Sequence, residues 1–351
     1  MSNCKQCGRP LFTYSAGDTQ EYCSQCQAQL QAQPRQEAST SQLVGRMPVT
    51  IALIAINILV FLLMVLRGIS PLSPTGRQLL DWGALFSSAL GGQWWRLVTS
   101  MFLHIGFIHL ALNMWCLWNL GLLAESLLGR WTYLASYLAT GVGAGLLSLA
   151  LNPLRLSAGA SGAVFGLAGL LITGLYFAKL AIPRSALQST IRSLAFFAFY
   201  NLVIGFSIPA INNTAHLGGL GTGLIIGLAM APILSRPKDQ RAHGKLAVMT
   251  VTFLLLFGGL LAVRHINDYA VSFDRANDLL TNNDYAGALA ELQRAAARKP
   301  GNSQVQEMLG YAYEMNNDRA HAMAAYERAL QLDHNRRLAS TRLRELKQAV
   351  P

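Results

Sequence analysis

Charged residues are scarce in this sequence, and they are unevenly distributed. Asp, Glu, Lys and Arg make up only 13% of the 351 residues, about half of the ~25% found in an ordinary soluble protein. Residues 47–234 hold 10 of the 45 charged residues, whereas residues 246–351 hold 23. This deficit argues against a wholly soluble protein, and it predicts a membrane-embedded middle followed by a soluble C-terminal part.

The chain also lacks a strongly basic domain. The net charge of +11 divides into +1 for residues 1–46, +6 for 47–234, +3 for 235–245 and +1 for the rest. Nucleic acid is therefore not an expected partner. The N-terminus begins with polar residues and paired cysteines instead of the basic and apolar pattern of a secretory signal, so we expect it to lie in the cytosol.

Long apolar segments fill the middle of the chain. Val49–Leu66 is an uncharged run of 18 residues, about 27 Å of helix and enough to cross a bilayer core. The further predicted spans are Leu97–Leu123, Trp131–Leu151, Ala160–Phe177, Ser193–Gly205, Ala215–Leu234 and Leu246–Val263. The sequence therefore predicts an all-α polytopic membrane bundle of six spans, with a seventh span after a basic loop.

The distribution of Lys and Arg predicts how these spans are oriented, because short loops rich in basic residues stay on the cytoplasmic side. The loop at 235–245 and the loop holding Lys179, Arg184 and Arg192 are the most basic connections. Both lie inside if the N-terminus is inside, and seven spans then leave the C-terminal domain outside. A bacterial plasma (inner) membrane fits this arrangement better than an organelle.

Four of the five cysteines are crowded into the first 26 residues. Cys4 and Cys7, followed after fifteen residues by Cys23 and Cys26, have the spacing of a four-cysteine zinc ribbon. A structural zinc ion would replace the core that so short a segment cannot build. Disulfides are the alternative, but a cytosolic location disfavours them. Cys116 lies in a predicted span and is assigned to packing.

The C-terminal part contains an internal repeat. Residues 282–284 (Asn-Asn-Asp) recur at 316–318, and Ala288 recurs as Ala322, each displaced by 34 residues. This is the period of tetratricopeptide repeats, in which each unit is a helix hairpin. Two repeats are fewer than the three usually needed for stability, so residues 336–349 supply a capping helix or the domain dimerises. The domain is expected to bind a protein or peptide, or to act as a spacer or dimerisation unit.

Polar residues inside membrane spans are costly to bury and indicate functional sites. Four stand out: His109, Asn113, Ser161 and His216. His109 and Asn113 are four residues apart and so share one helix face. A hydroxyl becomes a useful nucleophile when a neighbouring imidazole takes its proton, so a serine and a histidine together suffice for acyl transfer.

Glycines surround Ser161 and His216. Gly162 and Gly166 on one span, and Gly219 and Gly223 on another, recur at every fourth position and let two helix backbones approach closely. We expect this approach to bring Ser161 within reach of the histidine that precedes the second set of glycines.

These separated motifs resemble the rhomboid family of intramembrane serine proteases over residues 47–234. The residues that carry the resemblance are Trp95-Arg96, His104, His109, Asn113, the segment 159–162 (Gly-Ala-Ser-Gly), Ala215-His216, Gly219 and Gly223. The resemblance implies that Ser161 is the nucleophile, that His216 is the general base and then the acid, and that His109 and Asn113 line the oxyanion hole. It also assigns supporting roles to Phe165, Gly159, Gly162, Gly219 and Gly223. Many members have Tyr where this chain has Phe165.

The resulting prediction is an intramembrane serine endopeptidase that cuts transmembrane proteins near the outer membrane face through an acyl-enzyme, without a catalytic cofactor. The alternative is a catalytically silent rhomboid-like scaffold that binds membrane clients. The predicted domains are a zinc ribbon (1–26), a linker (27–46), the membrane core (47–234), a basic cytoplasmic loop (235–245), a seventh transmembrane helix (246–263) and the repeat domain (264–351).

Overall fold

The computed structural model of the protein describes residues 3–5, 7–11, 21, 23–26, 47–180, 183–208 and 211–348. The chain divides into two compact units, residues 1–46 and 47–351. The predicted linker, 27–46, lies outside the described residues. Within the described part of the second unit, the regular secondary structure is helical, with one isolated bridge between Leu85 and Ser157.

The helices of the second unit follow one another with short connections. They are α1 Pro48–Leu66, α2 Gly76–Asp81, α3 Arg96–Thr99, α4 Phe107–Leu128, α5 Arg130–Leu151, α6 Ser161–Phe177, α7 Arg184–Ser207, α8 Asn213–Leu234, α9 Ala242–Ile266, α10 Asp268–Thr281, α11 Tyr285–Arg298, α12 Ser303–Met315, α13 Arg319–Leu332 and α14 Arg337–Gln348. Six segments, containing α1, α4, α5, α7, α8 and α9, are long and apolar enough to cross a membrane, and α6 is a shorter apolar helix of 17 residues. The predicted polytopic helical bundle is confirmed, and the protein is an integral membrane protein.

Two spans show the largest differences from their predicted limits. The second was predicted to begin at Leu97, but α4 begins at Phe107 and the preceding residues form α3 and a 3-10 turn, Ser100–Phe102. Gly106 separates them with φ of +95°, a conformation that breaks a right-handed helix. The fifth span was predicted as Ser193–Gly205, whereas α7 begins at Arg184. The prediction started late because the first two turns of α7 are rich in polar residues and carry no apolar signal.

A buried carboxylate organises one end of the bundle. Glu125, near the end of α4, accepts hydrogen bonds from the backbone N–H of Val49 (3.0 Å) and Thr50 (2.9 Å) and from the Thr50 hydroxyl (2.8 Å). These N–H groups belong to the first turn of α1, which has no helical partner for them. At the same end, Lys245 Nζ donates to the carbonyl of Leu128 at 2.6 Å, so α9 starts beside the end of α4.

Helix α6 is surrounded by its neighbours and packs against α4, α5, α7 and α8. Its closest partner is α8, and both helices meet through glycines. A Cβ built on Gly219 would lie 2.8 Å from the carbonyl carbon of Gly162, and one on Gly223 would lie 2.7 Å from that of Gly166. No larger residue fits this seam without separating the two backbones.

The C-terminal helices form two hairpins, α10–α11 and α12–α13, which are followed by α14. The repeated Asn-Asn-Asp marks each turn: Asn283 and Asn317 have φ of 60° and 62°, and Asp284 and Asp318 cap the next helix through its backbone N–H groups. Helix α14 covers the second hairpin, which is the capping-helix alternative. That the domain is a tetratricopeptide unit that binds a protein or peptide stays a prediction.

Candidate active site

Ser161 and His216 meet at the end of the bundle opposite the end that holds Glu125. Ser161 is the first residue of α6, and its Oγ lies 2.9 Å from Nε2 of His216, in the first turn of α8. The Asn212 side chain caps α8 by accepting from the N–H of Ala215 at 3.3 Å, which fixes the turn that carries the histidine. His216 is buried, with 8% of its surface exposed.

An aromatic ring holds the imidazole from one side. Phe165, one turn after Ser161, stacks on His216 with ring centroids 4.3 Å apart and an angle of 11° between the planes. Phe197 of α7 lies 5.7 Å from Phe165 and continues the cluster. Nδ1 of His216 has no hydrogen-bond partner among the described residues. The ring orientation therefore depends on the serine and on stacking instead of a third polar residue.

One of the two polar residues of α4, His109, packs against the segment that leads into α6. A Cβ on Gly159 would lie 2.6 Å from Cε1 of His109, so the imidazole packs directly on the Gly159 backbone. Gly159 has φ of +133°, which also requires glycine. Nδ2 of Asn113 donates to the carbonyl of His109 at 2.8 Å, back along its own helix. Their assignment to an oxyanion hole stays a prediction.

Comparisons with known proteins identify the family of this chain. The Rhomboid domain profile matches residues 91–233, which include all four polar residues of the site. "Rhomboid protease AarA" of Providencia stuartii is 30% identical over 209 residues, covering 53% of this chain and 73% of that protein. The chain belongs to the rhomboid family.

Two further relatives differ in how much of them is matched. "Rhomboid protease GluP" of Bacillus subtilis is 30% identical over 287 residues, which cover 82% of this chain and 55% of that protein. "RHOMBOID-like protein 6, mitochondrial" of Arabidopsis thaliana is 36% identical over 164 residues, 46% of this chain and 52% of that protein. The chain thus spans about half the length of each of these two rhomboid relatives.

The other polar residues of the rhomboid motif have supporting positions. His104 is fully buried, and its ring centroid lies 5.2 Å from that of His109. Nη1 of Arg96 donates to the carbonyls of Leu80 (2.7 Å) and Ala84 (3.0 Å), so this arginine fastens the loop that follows α2. That both residues have structural roles stays a prediction.

Backbone pairing around the serine was missed by sequence reasoning. The N–H of Ser157 donates to the carbonyl of Leu85, and the N–H of Leu85 donates back, both at 2.9 Å. The N–H of Gly159 donates to the carbonyl of Ser100, also at 2.9 Å. Backbone groups of any residue can make such bonds, so these pairings leave no residue signal in the sequence. They fix the segment that carries Ser161.

The first turn of α6 completes the chemistry available at the site. The first backbone N–H groups of a helix have no partner within it, and they favour negative charge. Ser161 begins this turn. The site of this rhomboid therefore brings together a hydroxyl, an imidazole and the first backbone N–H groups of a helix.

The N-terminal cysteines also come together, within the first unit. The four Sγ atoms of Cys4, Cys7, Cys23 and Cys26 all lie within 4.8 Å of one another. The Sγ atoms of Cys7 and Cys23 are 3.7 Å apart, and the N–H of Cys23 donates to the Sγ of Cys4 at 3.3 Å. Four sulfurs at such separations fit a tetrahedral ion bound at about 2.3 Å from each.

Proposed function

We propose that this rhomboid is an intramembrane serine endopeptidase with a Ser161–His216 dyad. His216 takes the proton of the serine hydroxyl as Oγ attacks the carbonyl carbon of a peptide bond, and it returns that proton to the leaving amine. Water then attacks the acyl-enzyme, and His216 again serves as base and then acid. The 2.9 Å distance from Oγ to Nε2 is the observation that carries this proposal.

Charge on the tetrahedral intermediate requires hydrogen-bond donors. The first-turn N–H groups of α6 are proposed to supply them, together with the side chains of His109 and Asn113. Asn113 uses Nδ2 for the carbonyl of His109, but an amide nitrogen carries a second hydrogen that remains available. For the His109 imidazole to donate a hydrogen bond to the intermediate, its ring must stay packed against Gly159, where it lies in the structure.

The substrate is proposed to be a transmembrane segment of a membrane protein. A helix in a bilayer hides its carbonyls in its own hydrogen bonds, so a cut requires local unwinding. Ser161 and His216 lie at the starts of their helices, and the start of a spanning helix lies toward one face of the membrane. We therefore expect cleavage near that face, at a site where small or helix-breaking residues ease unwinding.

We propose that this face is the outer one. Lys179, Arg236 and Lys245 lie at the opposite helix ends, where the N–H of Lys179 bonds Ser235 and the Lys245 ammonium bonds Leu128. Basic connections stay cytoplasmic. The C-terminal hairpins contact the loop before α3, at the Ser161 end, and so belong outside on the same proposal.

A fluorophosphonate probe tests the proposal on the purified full-length protein, because it reacts with an activated serine without needing a substrate. Labelling of the wild type and loss of labelling in Ser161→Ala and His216→Ala are expected, with parallel loss of cleavage of a reporter transmembrane segment. Ser193→Ala, an exposed serine of α7, is the matched control. A wild type that is unlabelled and cuts no reporter would contradict the proposal and favour the scaffold alternative, which needs no reactive serine.

A structural zinc ion is proposed for the N-terminal unit. Cys4 and Cys26 are buried and Cys7 is exposed, as expected of two turns that close over one ion. Four thiolates leave no open position, so this ion would hold the segment folded and take no part in catalysis.

Metal analysis of the full-length protein tests this proposal. About one zinc per chain is expected, with loss in Cys4→Ser and retention in Cys116→Ser, the control for the fifth cysteine. Replacement by cobalt is expected to give the visible absorption of a tetrahedral thiolate site. Four alkylatable thiols without metal, or two disulfides found by mass spectrometry, would refute it.

A further inference from the structure

The C-terminal hairpins dock on a loop of the membrane domain. This docking loop, residues 85–97, shares a buried apolar cluster with α10. The cluster includes Leu85, Leu90, Tyr269 and Phe273. At its edge the hydroxyl of Ser87 donates to a carboxylate oxygen of Asp274 at 3.4 Å. The contact is therefore both apolar and polar, and it joins elements nearly 190 residues apart in the chain.

A second contact fixes the start of the hairpins on α5. Asn267, between α9 and α10, is 4% exposed. Its Nδ2 lies within hydrogen-bonding distance of the carbonyls of Leu149 (3.4 Å) and Ala150 (3.2 Å), in the last turn of α5. The last carbonyls of a helix lack helical partners, so this amide satisfies groups that would otherwise stay unpaired in an apolar setting.

The docking loop is itself bonded to the segment that carries the serine. Leu85 exchanges two backbone hydrogen bonds with Ser157, four residues before Ser161. The helical turns that follow the loop end at Phe102, and the carbonyl of Ser100 accepts from the N–H of Gly159. A continuous set of contacts therefore runs from α10 through the docking loop to Ser157 and Gly159, in the segment that leads into α6.

We propose that the C-terminal hairpins position the Ser161 segment by holding the docking loop, with Asn267 and Asp274 as positioning residues. The inference rests on the proposed function. Release of the hairpins would leave both sides of the Leu85–Ser157 pairing supported only by the membrane domain. Because displacement of a reacting group by about 1 Å can cost ~100-fold in rate, loss of this support is expected to slow the serine more than it weakens substrate binding.

The rival explanation is that the hairpins recruit the outer part of the substrate and leave the serine unaffected. The two differ for a small probe, because a fluorophosphonate has no outer part to recruit. The variant Asn267→Ala/Val271→Arg is designed to undock the hairpins, since Val271 lies beside Gly91 of the docking loop. Asn277→Ala/Ala286→Arg is the control, because it introduces the same two residue types, alanine on α10 and arginine at an exposed site of α11. Asp274→Ala, which removes only the polar contact with Ser87, is a milder second variant of the full chain.

The measurement is the second-order rate of Ser161 labelling in detergent, together with kcat and KM for a reporter transmembrane segment. We expect labelling to slow at least about tenfold in the undocked variant and by a smaller factor in Asp274→Ala, with kcat falling and KM little changed, while the control matches the wild type. Wild-type labelling rates in either variant, or a rise of KM alone, overturn the inference. A wild type that is never labelled counts against the proposed function instead.

Discussion

The glycine seam between α6 and α8 gives the sharpest test of the site geometry, through the substitution Gly219→Ala. The added Cβ would lie 2.8 Å from the carbonyl carbon of Gly162 and closer still to its oxygen. An ordinary van der Waals contact begins at 3.4 Å. Both obstacles are backbone atoms, so no side chain can rotate away and the helices themselves must separate.

The size of that separation follows from the same atoms. Relieving the contact with the carbon alone needs about 0.6 Å, and relieving the oxygen needs more. Ser161 and His216 stand on these two helices with Oγ and Nε2 2.9 Å apart, so the distance reaches about 3.5 Å or more, where the hydrogen bond is lost. Overpacking of this kind also lowers the free energy of unfolding by about 1–3 kcal/mol.

The assay is the rate of fluorophosphonate labelling at Ser161, paired with thermal unfolding in detergent. We expect labelling to fall by one to two orders of magnitude, in line with the ~100-fold cost of a 1 Å misplacement. Gly221→Ala is the control, because a Cβ there meets nothing within 4 Å and alanine favours a helix. Equal labelling in the two variants would refute the reasoning that the seam sets the dyad distance.

Three further predictions concern single side chains. Phe165→Leu removes the ring stacked on His216 and should slow labelling about 2- to 12-fold, the equivalent of ~0.5–1.5 kcal/mol, whereas Phe165→Tyr, which keeps the ring, should not. Glu125→Gln replaces a charged acceptor by an amide that also presents N–H, and should lower the free energy of unfolding by about 2–4 kcal/mol, measured against the exposed Glu345→Gln. Burial, and then the charge of Asp278, raises the pKa of Asp274 from 3.8 to about 6. The folded state then binds this proton more tightly than the unfolded state, so the free energy of unfolding should fall as pH rises from about 4 to about 6. Asp274→Asn should remove that part of the pH dependence.

The site was predictable where residue type is decisive. Glycine at Gly162 and Gly219 indicates that two backbones touch, and a histidine inside an apolar span has few purposes besides chemistry. The dyad partners could therefore be named from the sequence and lie together in the structure. A supporting role for Phe165 came only from the resemblance to the rhomboid family, and in the structure its ring stacks on His216.

Other features had no such signal. The start of α4 was placed ten residues early, since residues 97–106 are nearly as apolar as the helix, and only the positive φ of Gly106 reveals the break. The pairing of Leu85 with Ser157 uses backbone groups that every residue has. The contact between α10 and residues 85–97 joins two surfaces that each carry apolar and polar residues. Neither segment alone has a pattern that predicts the other as its partner.

The capping carboxylate at Glu125 also bears on how the bundle assembles in time. Thr50 leaves the ribosome 75 residues ahead of its acceptor, so the first turn of α1 enters the bilayer with donors that only water and lipid headgroups can satisfy. The contact with Glu125 can form only once both helices have been made, so it couples the position of the first turn of α1 to that of the end of α4.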